Sequence, residues 1–281
     1  MAYLPLKSVT LPQASERVFD GWLEQLGARL GAPDADWHRL TRDVLFEIWY
    51  PGLSDYDALL SDPATPAGTR TALLSLDPRN ITLEPEYYAD VDPDRYARVK
   101  PLHWLWQSFD RSPLGAGNVH LGIRFRRLLA QHLFARVGRN FKCFQFVEFS
   151  YGYNMEVGDD CVVHRHVLLD DRGGISLGDR VSISDYANIY SHTHSIVDQK
   201  DVTNARTVLE DDVRITYHAT VLAGVRVGRN AMVGANAVAT KNVRPYHVNV
   251  GIPAKSIRVK PNAPTESYVS ERTSQHSTPE S

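Results

Sequence analysis

From residue 157 the chain reads in sixes. Val157, Val163 and Leu169, then Leu177, Ile183 and Ile189, then Leu209, Ile215, Val221, Val227, Val233 and Ala239 are all aliphatic. Four places after each stands Cys161, Val167, Gly173, Val181, Ala187, Thr193, Val213, Ala219, Val225, Ala231, Ala237 or Val243, none larger than valine. A helix repeats near 3.6 and a lone strand near 2, so neither makes this pattern. An aliphatic residue with a small one four places on marks a parallel β-helix in which each hexapeptide is one flat side and a turn. Three hexapeptides close a coil, and the aliphatic residues stack inside a narrow prism.

The earlier part is written differently. SERVFDGWLEQLGARLG sets Val18, Trp22, Leu23, Leu26 and Leu30 at helical spacing between a cap at Ser15 and a stop at Gly31. DADWHRLTRDVLFEIWY repeats the style and ends before Pro51; DPDRYARVKPLHWLWQSF and NVHLGIRFRRLLAQHLFARVG add two more helices. The last carries Arg124, Arg126 and Arg127 near its start. The expected fold class is therefore α plus β-solenoid: a helical N-terminal domain over residues 1–140, a β-helix over 141–260, and a Ser/Thr/Glu/Pro-rich tail, 261–281, expected to be disordered.

Composition narrows the picture. All five tryptophans lie in the first 110 of the 281 residues, which reinforces the boundary. A net charge of -2 gives no global attraction to nucleic acid. With only Cys143 and Cys161, no basic-then-apolar leader and no apolar run long enough for a membrane span, the expected compartment is cytoplasmic.

The array ends in VGANAVATKNV and then VGIPAKSIRV, and contains FSYGYN, VGDDCV and LGDRVSIS. These strings resemble the left-handed β-helix O-acyltransferases, above all the maltose and galactoside acetyltransferases, over about two fifths of the chain. The whole chain, with its NVHLGIRFRRLLAQHLF segment, is similar to the actinobacterial octanoyltransferases that acylate glucosylglycerate precursors of methylglucose lipopolysaccharides. The resemblance implies a homotrimer with active sites between subunits, acyl-coenzyme A as co-substrate with no permanently bound cofactor and no metal, and a saccharide hydroxyl as acceptor.

Within IYSHTHS, the six-residue repeat makes Thr193 an inward residue, so that His192 and His194 on either side of it point outward. His194 is then the last residue before a polar stretch that breaks the repeat, and such excursions gather on a solenoid's binding face. The resemblance assigns it the catalytic base, a role suited to an imidazole near neutral pH; His192 becomes a supporting neighbour. Asp198, or Asp170 and Asp171, are candidates to orient the imidazole, as is a backbone carbonyl. By the same resemblance Ser150 contacts the acceptor and His164 stands where the sugar acetyltransferases have an asparagine. That difference argues against simple galactoside or maltose acetylation. Asp171 lines the acceptor pocket or serves the turn at Gly173 and Gly174, two readings of equal weight. On the donor side the resemblance points to Thr240, Lys241, Lys255 and Arg258, with Arg214 in place of a common tryptophan.

Three rivals stand beside this reading: acetylation of another saccharide or small hydroxyl acceptor, a metal enzyme of the γ-carbonic anhydrase kind using the HRH and HTH strings, and a non-catalytic binding scaffold. A nucleotide-sugar pyrophosphorylase is disfavoured, because no Gly-rich strand and turn opens the N-terminal half.

Overall fold

The amphipathic stretches at the start of the chain are helices in the computed structural model, which describes residues 6–7, 9–198 and 200–265. They are α1 (Gln13–Leu30), α2 (Trp37–Trp49), α3 (Tyr56–Ser61), α4 (Ala67–Leu76), α5 (Pro93–Arg111) and α6 (Val119–Leu133). Together with Lys142–Phe146, which holds the short strand β2 (Lys142–Cys143), and Ser150–Tyr153, they make up one of two compact units. The other comprises Arg136–Phe141, Val147–Phe149 and Asn154 onward. Of the tail expected to be disordered, residues 266–281 lie outside the described residues.

Helix α1 starts two residues ahead of the expected cap at Ser15, because Pro12 takes the entrance: its fixed φ and missing N–H suit a position where a donor would be unsatisfied. It ends at Gly31 as expected, whose N–H donates to the Gly27 carbonyl. Trp22 stacks on Phe125, and Phe125 on Phe109 with 3.8 Å between ring centroids, so α1, α5 and α6 share one aromatic core.

Arg126 is buried more deeply than Arg124 and Arg127, the half-buried arginines beside it. It is 1% exposed; its Nε donates to Asp110 at 2.8 Å and its Nη1 to the Cys143 carbonyl at 3.0 Å. The other Asp110 oxygen accepts the Phe146 N–H. Burying two charges is tolerable only with such full pairing. Gly122 makes room for it, since a Cβ there would lie 2.9 Å from the guanidinium.

The second unit winds into a left-handed parallel β-helix of about six coils. Its first sheet holds β1 (Arg136–Val137), β4 (Met155–Val157), β7 (Ile175–Leu177), β12 (Thr207–Leu209) and β15 (Arg226–Val227). The second holds β5 (Val162–Val163), β8 (Ser182–Ile183), β13 (Arg214–Ile215), β16 (Met232–Val233) and β18 (His247–Val250), closed by the antiparallel β19 (Lys255–Val259). The third holds β3 (Glu148–Phe149), β6 (Leu168–Asp170), β9 (Asn188–Tyr190), β14 (Thr220–Val221) and β17 (Val238–Ala239). Every one of the twelve aliphatic positions is buried, as are ten of the twelve small ones; Gly173 is half-buried and Thr193 exposed.

Two corners of the prism turn through residues at positive φ. One column is Asn140, Asp160, Arg180, Asp212, Asn230 and Tyr246, and the other includes His166, Tyr186, His218 and Asn236. Side chains other than glycine resist this conformation, and contacts along each column offset the cost. Asn140 donates to Asp160, Arg180 pairs with Asp212, and Lys260 donates to Asn230. On the other corner the rings of His166, Tyr186 and His218 stack at 4.8 and 4.9 Å.

The Gly-Asp pairs of VGDD and LGDR have a geometric cause. A Cβ on Gly158 would lie 2.5 Å from the Gly178 carbonyl oxygen of the next coil. Asp179 accepts the Asp159 N–H, and Asp211 the Asp179 N–H, so each aspartate ties its coil to the one before.

The third corner, from the third sheet to the first, carries the excursion. The six-residue repeat stops at Ser191, three residues earlier than expected. Residues His192–His194 (β10) and Val202–Asn204 (β11) form an antiparallel hairpin standing off the coil, pairing Thr193 with Thr203. Thr193 is therefore exposed rather than inward, because it belongs to the hairpin and not to a coil face. Beneath the hairpin the coil closes directly: the Ala205 N–H donates to the Ser191 carbonyl at 2.8 Å. Ser191 is fully buried; its hydroxyl donates to the Asp170 carbonyl and accepts the Gly173 N–H. Gly173 is obligatory, since a Cβ would meet the Ser191 oxygen at 2.3 Å and the Ala205 nitrogen at 2.6 Å.

Two predictions follow the two units. In the helical unit His103, hydrogen-bonded to Tyr96 and Gln107, is pushed by burial from 6.5 down to about 3. Between those values the unfolded chain takes a proton that the folded chain refuses, so stability falls as the pH is lowered through that window, by up to about 1.4 kcal/mol per pH unit. Urea midpoints measured from pH 7.5 to 4.5 should show this slope, and His103→Gln should flatten it. In the β-helix, replacing residues 192–204 by two glycines should leave the circular-dichroism spectrum and the melting temperature within a few degrees of wild type.

Candidate active site at the third corner

The hairpin presents both histidines on one face, as residues two apart on a strand must be. His192 leans back to the coil, where its Nδ1 bonds to the Asp170 carboxylate. The side chain of His192 is 20% exposed and that of Asp170 only 4%. A carboxylate oxygen can only accept, so Nδ1 carries the proton of this bond. The outward orientation expected for both rings thus holds for His194, which is exposed, and is corrected for His192. The two rings meet edge to face, with centroids 5.3 Å apart at 82°.

Ser195 steadies the turn beyond them, its hydroxyl accepting the N–H groups of Val197 and Asp198. Ile196 and Val197 project fully exposed from the tip. The hairpin's return leg ends at Arg206, which reaches over Gly174 to pair with Glu156 at 3.0 Å. Sequence reasoning passed over Ser191 and Arg206; the sign that they matter is their place at the two ends of the interruption.

The other expected site residues are distributed as follows. Asp171 is completely buried; its carboxylate accepts the Asn154 N–H of the preceding coil at 3.2 Å, and its carbonyl accepts the Gly174 N–H at 3.0 Å. His164 is half-buried at the corner between the second and third sheets, at the far end of β6 from Asp170; burial pulls its pKa down, against the opposing charge of Asp185. Ser150, half-buried, lies in the helical unit's segment 150–153.

On the donor side Arg214 and Arg258 share the outer face of the second sheet, linked in register through Met232 and Val248. Lys260 is beside Arg214; partial burial and that neighbouring charge lower its pKa. Lys255 pairs with Val250 at the start of β19. Thr240 and Lys241 sit apart from this group, exposed just after β17 at the same corner as the hairpin. The five donor-side residues therefore divide between a sheet face and a corner.

Neither cysteine is poised for chemistry. Cys161 is buried with its thiol donating to the Gly178 carbonyl, and burial pushes it up to about 12; burial raises Cys143 likewise. Among the described residues no three His, Cys, Asp or Glu side chains gather as metal ligands would, and no helix is long and apolar enough to cross a membrane.

No protein-family model matches the chain. In sequence it is 28% identical over 137 residues to the galactoside O-acetyltransferase of Escherichia coli (strain K12), a match covering 47% of this chain and 68% of that protein. In structure it resembles a maltose O-acetyltransferase from Clostridium difficile 630, with a TM-score of 0.54 and 24% identity over 62% of this chain and 91% of the other. It also resembles a galactoside acetyltransferase solved in complex with coenzyme A, with a TM-score of 0.52 and 24% identity over 59% of this chain and 81% of that one. The β-helix thus has the fold of the hexapeptide-repeat acyltransferases, and the chain is similar in sequence to that family.

Proposed function

We propose that this acyltransferase moves an acyl group from coenzyme A to a saccharide hydroxyl, with His194 as the general base. The observation that carries this reading is the hairpin itself: a pair of imidazoles raised on a two-stranded platform at one corner of a β-helix whose relatives are acetyltransferases. In the reaction His194 takes the proton of the acceptor hydroxyl as its oxygen attacks the thioester carbonyl. The tetrahedral oxyanion is held by an N–H donor, and collapse expels the coenzyme A thiolate, which recovers the proton from the imidazolium. No enzyme nucleophile is required, in keeping with two thiols that burial holds protonated.

The acyl donor binds, in this proposal, along the coils, its phosphates met by basic residues among Arg214, Lys241, Lys255 and Arg258, and its pantetheine arm near Thr240. Three chains assemble so that each site lies at a subunit boundary. Ser150 and His164 serve the acceptor, and histidine in place of the family's asparagine moves the preference away from simple galactosides and maltose. The acyl group is octanoyl and the acceptor a glucosylglycerate. Each methylene buried contributes about 0.8 kcal/mol, so a fitted pocket favours octanoyl over acetyl by roughly 5 kcal/mol.

Acyl-coenzyme A donors from acetyl to octanoyl, competed with purified glucosylglycerate as acceptor and read by thiol release and product mass, test this reading. Octanoyl should lead by at least about a hundredfold in kcat/KM, and His194→Ala should lower kcat by about a hundred- to ten-thousandfold. Preference for acetyl would refute the octanoyl assignment alone. Absence of transfer from any donor to any saccharide would refute the transferase, and stoichiometric zinc with equal losses for His192→Ala and His194→Ala would put a metal enzyme in its place.

A further inference from the structure

The bond between Asp170 and His192 is not needed to hold the coil together. Closure beneath the hairpin is completed by Ser191, Ala205 and Gly173, and the hairpin by its own backbone pairing. Asp170 nevertheless places a carboxylate at a buried position, 3% exposed, where the register of the next coil has Tyr190. Its side chain turns to the one imidazole that in turn meets the ring of His194.

We propose that Asp170 and His192 are positioning residues for His194: the buried carboxylate fixes the tautomer and plane of the His192 ring, and that ring sets the plane of His194. The inference rests on the reading of His194 as the base. His192 is tethered at two points, its own Cα on β10 and Nδ1 on Asp170, so it cannot rotate away. His194 packs edge to face against it, and an exposed imidazole that would otherwise sample several rotamers is held to one. A base so restricted meets the acceptor hydroxyl in one orientation, which acts on turnover and not on substrate affinity. Among the described residues the turn that joins β10 to β11 carries Asp198, Lys200 and Asp201. β11, paired with β10, contributes Val202, Thr203 and Asn204, none of which titrates; β6 contributes Asp170, with Asp171 next to it engaged by Asn154.

The test compares Asp170→Asn, His192→Phe, the double variant and His194→Ala, with melting temperatures recorded for each. Asp170→Asn keeps size and loses charge; His192→Phe keeps an aromatic ring and loses both nitrogens. Each single variant should lower kcat by about ten- to a hundredfold with both KM values within about twofold. The double variant should be no worse than either single one, because the two residues act through one contact. Asp170→Asn should also move the acid limb of the kcat/KM profile to lower pH, since loss of a nearby negative charge disfavours the imidazolium. Wild-type turnover and an unmoved acid limb in Asp170→Asn would overturn the proposal, as would additive losses in the double variant. His192→Phe falling as far as His194→Ala would make His192 the base and overturn it too. Turnover retained in His194→Ala refutes the base reading and this inference with it; an inactive His194→Ala beside unaffected Asp170 and His192 variants refutes the positioning role alone.

Discussion

The interior of the prism admits one aliphatic and one small side chain per face, and this steric limit fixes the direction of every other residue in the coils. Because Leu177, Ile183 and Ile189 must stack within one column system and Val181 and Ala187 must fit beside them, residues between them have no choice but to face out or turn the corner. Close spacing of successive coils then dictates glycine at positions such as 158 and forces polar atoms at the corners to bond to the coil before or after. The hairpin is possible only because this framework is complete without it.

That same limit explains why the β-helix was so readable and where reading stopped. A repeat enforced at every coil leaves its mark in twelve matched pairs, whereas the hairpin obeys ordinary strand pairing and carries no six-residue trace. Thr193 fits the small-residue slot by size alone, which predicts it inward; in the hairpin it pairs with Thr203 and faces solvent. In the hairpin His192 leans back to Asp170, while His192 and His194 keep one face because both a coil face and a hairpin strand have period two.

In the helical unit periodicity found the helices but not the burial of individual charges. Arg126 lies between Phe125 and Arg127 in a run of three arginines, and its burial depends on Asp110 from α5, itself bonded by the Phe146 N–H, and on the Cys143 carbonyl, contacts invisible to local pattern. Asp170 stands among the sequence's candidates to orient an imidazole, beside Asp171 and Asp198, but its pairing with His192, 22 residues later, is decided only by the folded corner. Chemistry carried by residue type, such as the histidine pair, was legible; chemistry carried by proximity was not.

The hydrogen bond from Ala205 to Ser191 has a consequence for how such proteins diversify. It makes the two ends of the excursion neighbours whatever lies between them, so segments of different length and composition can be exchanged there at almost no cost in coil register. The turn beyond the histidine pair can then vary while the coil beneath it stays as it was. The corner acts as a socket whose fit to the coil is set by Ser191, Ala205 and Gly173, whatever fills it.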